Sequence, residues 1–428
     1  MAKRSIRKER NIRISLPDDV KLIISELKNA GFEGYAVGGC VRDSLLGRKP
    51  GDWDITTSAL PQDIKSIFRR TVDTGIEHGT VTVLIHDNSY EVTTYRIDGE
   101  YKDGRHPVSV RFTEQIGEDL RRRDFTINAM AYNDEDGLID LFDGREDLKR
   151  GIIRCVGDAD ARFDEDALRI LRAVRFAAQL DFDIDAATRD AISTHAPNLR
   201  AVSKERILVE ISKLICSAHI ERTADIFQLG IIPYIAKHFR EINIAQLAEL
   251  KRDAFAANDS ALNLNAATGL DRRYIRFAML TEGMEPSHLD ELLRDLKADN
   301  ATRRNAVKLS EHILKSIPAE SVEIKRIMSG MEPELFAELL MIKYVSRNTA
   351  LYKKLCSDED IFSIMEICRR IDEQDEPVYL KELAVSGDDI RAAGMAEGPE
   401  IGALLHRMLE AVWADPSHNI REWLMHIC

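Results

Sequence analysis

Asp52 and Asp54 stand one residue apart in the stretch GDWDIT, among residues that favour β-structure, although Asp itself is a poor strand former. In an extended segment, positions i and i+2 project to the same side. The two carboxylates are therefore expected side by side, with Trp53 and Ile55 packed behind them. Like charges at that spacing repel, and no cationic residue in the local sequence offsets them. Either the pair is a solvated turn or a cation sits between the two groups. Gly38 and Gly39 precede the pair by a short helix and a loop, and glycine lets backbone come close to a bound phosphate. Gly-Gly, a helix and then Asp-x-Asp together favour Mg²⁺, a hard cation that takes oxygen ligands and bridges to substrate phosphates. Glu91, in SYEVTTYR, offers a third carboxylate, but an outward-facing strand Glu is the plainer reading.

Cationic groups recur nearby in sequence. Arg42 follows the glycines, and Arg122, Arg123 and Asp124 open RRDFTIN, with Asn128 about one helical turn further on. A triple Arg is often a solvated helix end; here the apolar FTINAMA follows at once and favours a functional role. In RFDEDALRILRAVRFA, helical spacing predicts Arg162, Asp166 and Arg169 on one face, with Glu165 and Arg172 at its edge. Phe163, Ala167, Ile170 and Val174 form a separate apolar stripe. Taken alone, that pattern describes an ion-paired surface helix.

Other chemistries find no support. The eleven His show no HxxxH or HExxH spacing, and His86-Asp87 reads as a hairpin end. Neither a Walker loop nor GxGxxG occurs. The six Cys are scattered, which fits free thiols in a reducing compartment better than a disulfide framework or a zinc ribbon. No apolar run is long enough to span a bilayer, and the basic N-terminus lacks the apolar core of a secretory signal, so cytoplasmic residence is expected. The net charge of −13 argues against coating nucleic acid through bulk charge but leaves room for a local basic groove.

The elements that must position these residues form an α+β chain. At 428 residues several domains are expected. Residues 1–150 read as a small mixed sheet with helices. DDVKLIISELKNAG predicts a helix stopped by Gly31, YAVGG a short strand, CVRDSLLG a short helix and GDWDITTSA a strand. Another helix starts near Pro61, and GTVTVLIH with SYEVTTYRI makes a hairpin turning at Asp87-Asn88. Beyond about residue 155 helical periodicity takes over, with one helix over 160–180 and another over 203–216 capped by Ser203. Basic residues in 294–308 read as a solvated helix face more readily than as an RNA contact.

AVGGCVRDSLLG, GDWDITTSALPQDI and RRDFTINAMAY resemble the signature motifs of bacterial-type (class II) tRNA nucleotidyltransferases, the CCA-adding enzymes, which share a family with bacterial poly(A) polymerases. DGEYKDGRHP, IDLFDGREDLKRGIIR, RFDEDALRILRAVRFA and ERILVEISKL follow in family order. The resemblance is dense over residues 30–215 and looser beyond, where LAVSGDDI and GPEIGALLHRML still match. It implies a polymerase-β-like head (1–150), a helical neck that recognises the base (151–218), a helical body (219–345) and a helical, tRNA-binding tail (346–428). Implied partners are the tRNA 3′ end, CTP and ATP, with neither DNA nor membrane. Implied chemistry is untemplated CMP and AMP transfer with pyrophosphate release, Asp52 and Asp54 holding two Mg²⁺ ions. Gly38, Gly39, Arg42, Arg122, Arg123, Asp124 and Asn128 would bind nucleotide, together with Glu165, Asp166, Arg169 and Arg172.

The resemblance also makes Asp166 and Arg169 a protein template. Cytosine and adenine both present an amine donor beside a ring-nitrogen acceptor. A carboxylate accepts from the first and Arg donates to the second. Uracil and guanine reverse both polarities, a mismatch that a polar site rejects by ~10⁴. The loop over 98–112 is the segment that, in such enzymes, helps switch the site from C to A. An A-adding tRNA nucleotidyltransferase or a bacterial poly(A) polymerase stays open as an alternative, although no long basic C-terminal extension is present. A non-catalytic RNA-binding protein is the remote one, disfavoured by intact carboxylates.

Overall fold

The structure, a computed structural model, describes residues 8–99, 110–217, 219–242, 273–347, 350–356 and 359–426. It divides into two compact units, residues 1–236 and 237–428.

The first unit carries strands β1 (Lys8–Glu9), β2 (Gly34–Val37), β3 (Ile55–Thr57), β4 (Thr71–Gly75), β5 (Thr80–Ile85), β6 (Asn88–Thr94), β7 (Arg96–Asp98), β8 (Val110–Phe112), β9 (Met130–Asn133), β10 (Gly137–Asp140), β11 (Ile152–Ile153) and β12 (Asp183–Ile184). Eight of them form one mixed sheet in the order β1-β10-β9-β2-β3-β6-β5-β4. Neighbours are antiparallel except β3 and β6, which run parallel with Ile55 beside Val92 and Thr57 beside Thr94. β2 lies centrally and is buried along its whole length.

Helix α1 (Asp18–Asn29) packs Val20, Ile23 and Leu27 inward at helical spacing, and Gly31 follows it at φ 91°, a left-handed turn that glycine adopts without a steric penalty. α2 (Gly39–Leu45) follows β2, and α3 (Pro61–Ile67) starts on its proline, where a missing N–H goes unused. The expected hairpin forms, with its two-residue turn at His86-Asp87; His86 takes φ 51° and pairs with Asp19. Most of the 98–112 loop lies outside the described residues, but its flanks pair as β7 and β8, Arg96 opposite Phe112.

α4 (Ile116–Arg121) and α5 (Gly144–Arg150) complete the sheet region. Residues 160–180 are two helices, α6 (Ala159–Glu165) and α7 (Leu168–Leu180), where sequence periodicity predicts one. The break is at Asp166, which is extended (φ −149°, ψ 100°) and accepts the Leu168 amide on Oδ1 at 3.1 Å. A short carboxylate that can take a backbone N–H competes with the helix for it. The apolar stripe survives the break, with Phe163, Ala167, Ile170 and Val174 all buried. α8 (Ala186–His195) and α9 (Lys204–Ile215) follow; Ser203 sits at the cap position of α9, but its side chain makes no capping hydrogen bond.

The second unit is helical. In the helix Pro399–Ala414, Ile401, Leu404, Met408, Leu409 and Val412 recur at three- and four-residue steps and fill a core with Ile390 and Leu424. Buried Lys343 is satisfied by the Ile313 and Lys315 carbonyls (3.0 and 2.7 Å) and by Glu359 (3.0 Å). Arg303 and Arg294, in the basic 294–308 segment, both pair with Asp290. No helix among the described residues is long and apolar enough to cross a membrane.

Candidate active site

Asp52 and Asp54 lie just before β3, which spans only Ile55–Thr57, so the strand starts later than the sequence suggests. The segment is still held extended at Asp54, whose carbonyl accepts the Val37 amide of β2 at 3.0 Å. Ile55 is fully buried behind it and Trp53 half-buried. Both carboxylates reach solvent, yet Asp54 sits in a recess dense with protein atoms. That desolvation pushes its carboxyl up; the Arg123 charge partly opposes the rise and Asp52 adds to it. Glu91 belongs to the same group. The parallel register sets Val92 beside Ile55, which brings Glu91 level with Asp54. Desolvation and then the charges of Asp54 and Asp52 raise the Glu91 carboxyl. Three neighbouring carboxylates, two of them raised by burial and by the charges beside them, offer only oxygen ligand atoms and fit a hard divalent cation.

Arg123 reaches this recess from the other side. Gly38 has φ 83°, a left-handed conformation that favours glycine, and a β-carbon there would lie 2.9 Å from Arg123 Nη1, so a side chain at this position would also push the guanidinium aside. Arg122 and Arg123 are aimed by Asp119, a fully buried residue on α4. Asp119 accepts from Arg122 Nε at 3.0 Å and from Arg123 Nη2 at 3.5 Å. Burial opposes its charge, but the two guanidiniums outweigh that and hold the carboxyl below its ordinary range. Asp119 is absent from the sequence-based set, although its i, i+3, i+4 spacing with these arginines is visible in the sequence and could have marked it.

A second network joins the α2, 122–128 and α7 segments. Arg42 Nη1 donates to Asn128 Oδ1 at 2.7 Å, and Asn128 Nδ2 donates to Asp124 Oδ1 at 3.2 Å. Asp124 Oδ2 receives Arg172 Nε and Nη2 at 2.7 and 2.6 Å. Burial alone would raise Asp124; the Arg172 charge and hydrogen bond overcome it and set the carboxyl at about 2. Glu210 of α9 then takes Arg175 Nε at 2.5 Å and approaches Arg172 at 3.9 Å. The guanidiniums of Arg42, Arg172 and Arg175 lie 5.0, 5.3 and 3.9 Å from the Phe176 ring centre. Phe176, Arg175 and Glu210 are absent from the sequence-based set; Glu210 meets Arg175 and Arg172 from 35 and 38 residues away, which leaves no local pattern.

The helix break separates Asp166 from the continuous face on which periodicity places it with Arg169. Arg169 Nη1 donates to Glu165 Oε2 at 2.5 Å and Nη2 to the Arg122 carbonyl at 3.2 Å, tying α7 to the RRD segment. Asp166 Oδ2 instead accepts from Arg206 Nη2 of α9 at 2.8 Å. Glu165 also holds Arg162.

A mixed sheet with carboxylates at the lip of β3 and arginines converging from two sides defines a nucleotidyltransferase head, and residues 34–154 match the Poly A polymerase head domain. Residues 181–242 match the probable RNA and SrmB-binding site of polymerase A. The chain is 37% identical over 402 residues to the CCA-adding enzyme of Levilactobacillus brevis, covering 91% of this chain and 92% of that one. With the Geobacillus kaustophilus CCA-adding enzyme identity is 36% over 415 residues, 94% and 95% of the two chains. The match to the Leuconostoc mesenteroides CCA-adding enzyme reaches 50% but spans about half of each chain, 49% and 52%. The crystal structure of the Bacillus stearothermophilus CCA-adding enzyme in complex with CTP superposes with a TM-score of 0.76 at 32% identity, over 96% of this chain and 98% of that one. The chain belongs to the CCA-adding enzyme family.

Proposed function

We propose that this protein adds CMP and AMP from CTP and ATP to the 3′ end of tRNA, releasing pyrophosphate, and that Asp52, Asp54 and Glu91 form its metal clamp. The observation that carries the proposal is the carboxylate group at the lip of β3, with Arg123 as the nearest opposing charge. Enzymes of this family generally use divalent metal ions, and an all-oxygen donor set favours Mg²⁺. When bound, such ions neutralise triphosphate charge and lower the pKa of the attacking 3′-hydroxyl.

The chain's own residues do the rest. Gly38 and Gly39 let the backbone come close to the triphosphate, and Arg123, with Arg122 beside it, supplies positive charge along it. Arg42, Asn128 and Asp124 present one pre-formed polar surface, which the Arg172 pairing keeps in place before substrate arrives. Asp166 and Arg169 read the base. Their partners in this structure are Arg206 and Glu165, so base binding exchanges those contacts for hydrogen bonds to cytosine or adenine.

In this reading residues 1–150 are the catalytic head, 151–218 the neck, 219–345 the body and 346–428 the tail, and the helical parts hold tRNA by shape and backbone. Cys40, Cys155, Cys356 and Cys368 carry free thiols, as suits a cytoplasmic enzyme.

The test is to incubate the protein with Mg²⁺, tRNA ending at the discriminator base, and CTP, ATP or both. Three added nucleotides with both supplied are expected. Extension only of tRNA already ending in CC would indicate an A-adding enzyme, and long A tails a poly(A) polymerase. Absence of product under every condition would overturn the proposal.

A further inference from the structure

In the second unit, away in sequence from the residues of the candidate active site, two His-x-x-Glu pairs meet: His238 with Glu241, and His288 with Glu291. His238 precedes a one-turn helix, Phe239–Glu241, that ends on Glu241, and His288 and Glu291 lie one turn apart on the helix Pro286–Asp295. One carboxylate joins both rings. Glu241 Oε1 lies 2.7 Å from His238 Nδ1, and Oε2 lies 2.9 Å from His288 Nδ1. The two imidazoles stack with centres 4.1 Å apart. The ligand atoms of His238, Glu241 and His288 fall within 4.8 Å of one another.

We propose that His238, His288 and Glu241 form a binding site for a borderline divalent cation of the zinc class, with Glu291 orienting the His238 ring. The donor set, two imidazole nitrogens and a carboxylate oxygen, suits such ions rather than Mg²⁺ or Ca²⁺. Glu291 Oε2 lies 3.2 Å from His238 Nε2, the nitrogen that faces away from Glu241. A carboxylate there fixes the ring and its tautomer and leaves Nδ1 to the ion, as partners of metal-bound His commonly do. Tetrahedral coordination would set nitrogen and oxygen ligands ~3.3 Å apart, so the present 2.7–2.9 Å spacings open by only ~0.5 Å. His238 is also held at φ 59°, a left-handed conformation that a bulky residue adopts at a cost, so the surrounding structure fixes its direction.

Lys237 Nζ approaches Glu291 at 4.0 Å on a largely exposed side chain and can swing away. The fourth ligand position faces solvent, since Glu241 and His288 are each more than a third exposed. A bound ion would pin the 238–241 turn to the helix that begins nearly fifty residues later, a structural role separate from the reaction.

The full chain, stripped with chelator and returned to excess Mg²⁺ so that the carboxylates of the head are occupied, is titrated with Zn²⁺ against a chromogenic chelator. One equivalent of Zn²⁺ is expected to bind and to raise the melting midpoint. Co²⁺ in its place should give visible absorption of tetrahedral intensity. In His288→Gln, a half-exposed position that tolerates polar residues, affinity should fall by more than about 100-fold, beyond the 10–100-fold that outer partners alone account for. His238→Ala should abolish the Co²⁺ bands. No tight Zn²⁺ equivalent in the wild type, or the same affinity and spectrum in both variants, would overturn the proposal.

Discussion

Replacing Asp124 by Asn removes one charge and the Oδ2 acceptor that Arg172 uses, at nearly unchanged shape. The side chain keeps its shape, and its oxygen still accepts from the Phe125 amide at 2.8 Å and from Asn128. What is lost is the charge on which Arg172 closes at 2.6 Å. Asp124 is 8% exposed, so solvent screens little of this. Its carboxyl lies at about 2 instead of an ordinary 3.8. A gap of about two pH units at roughly 1.4 kcal/mol each makes ionised Asp124 worth ~2–3 kcal/mol to the folded state at neutral pH. For a unit of this size that corresponds to a fall of ~5–10 °C in melting midpoint.

The sign of the pH dependence follows from the depressed value. The contribution is complete above about pH 4–5 and is lost as pH falls towards about 2, with about half gone near pH 3. Calorimetry of wild type and Asp124→Asn at several pH values is the assay. The midpoint gap should be largest near neutrality and narrow by about half near pH 3. A neutral-pH gap below ~1 °C, or one that stays constant through acid, would refute the argument.

Four further outcomes follow from the site. Asp119→Asn should loosen Arg122 and Arg123 together and raise the KM for nucleotide with a smaller change in kcat; the reverse split would remove its positioning role. Because burial and neighbouring carboxylates raise Asp54 and Glu91, an Mg²⁺ ion binding there would have to displace protons at a higher pH than at ordinary carboxylates. The Mg²⁺ concentration for half-maximal activity should therefore rise as pH is lowered from about 8 to about 5, and less so in Glu91→Gln. Arg169→Ala should raise UMP and GMP misincorporation more than it changes Mg²⁺ dependence; unchanged base discrimination would exclude it from the template. Binding of tRNA should weaken as salt increases, and a flat salt titration would count against recognition through the phosphate backbone.

The head was legible wherever local pattern decides the outcome. Alternation, the Gly31 and Pro61 signals and the Gly38-Gly39 to Asp-x-Asp spacing all depend on neighbours in sequence, and the elements formed close to where those signals put them, with β3 starting only at Ile55 and the hairpin turning one residue earlier. What stayed hidden depends on register and on competition for hydrogen bonds. Glu91 is the solvent-exposed strand residue its sequence suggests, and only the parallel pairing of β3 and β6 shows that it also lies level with Asp54. The break at Asp166 is invisible because the apolar stripe continues across it, while the carboxylate that captures the Leu168 amide leaves no periodic trace. The His238 cluster escaped a search for local metal spacing, since each His-x-x-Glu half is uninformative without the other. Glu210 likewise acts on arginines 35 and 38 residues earlier.

The central claim is that the carboxylates before β3 drive nucleotide addition in the order C, C, A. The most direct measurement is single-turnover extension of tRNA lacking its terminal triplet, with all four nucleotides and Mg²⁺ supplied, comparing wild type with Asp54→Asn and sequencing the products. The wild type should add CCA and stop. Asp54→Asn should bind tRNA within about threefold of wild type yet add nucleotides slower by roughly 10³-fold, the scale set by loss of a group that stabilises transition-state charge. Near-normal rates in Asp54→Asn, or wild-type products other than CCA, would contradict the account.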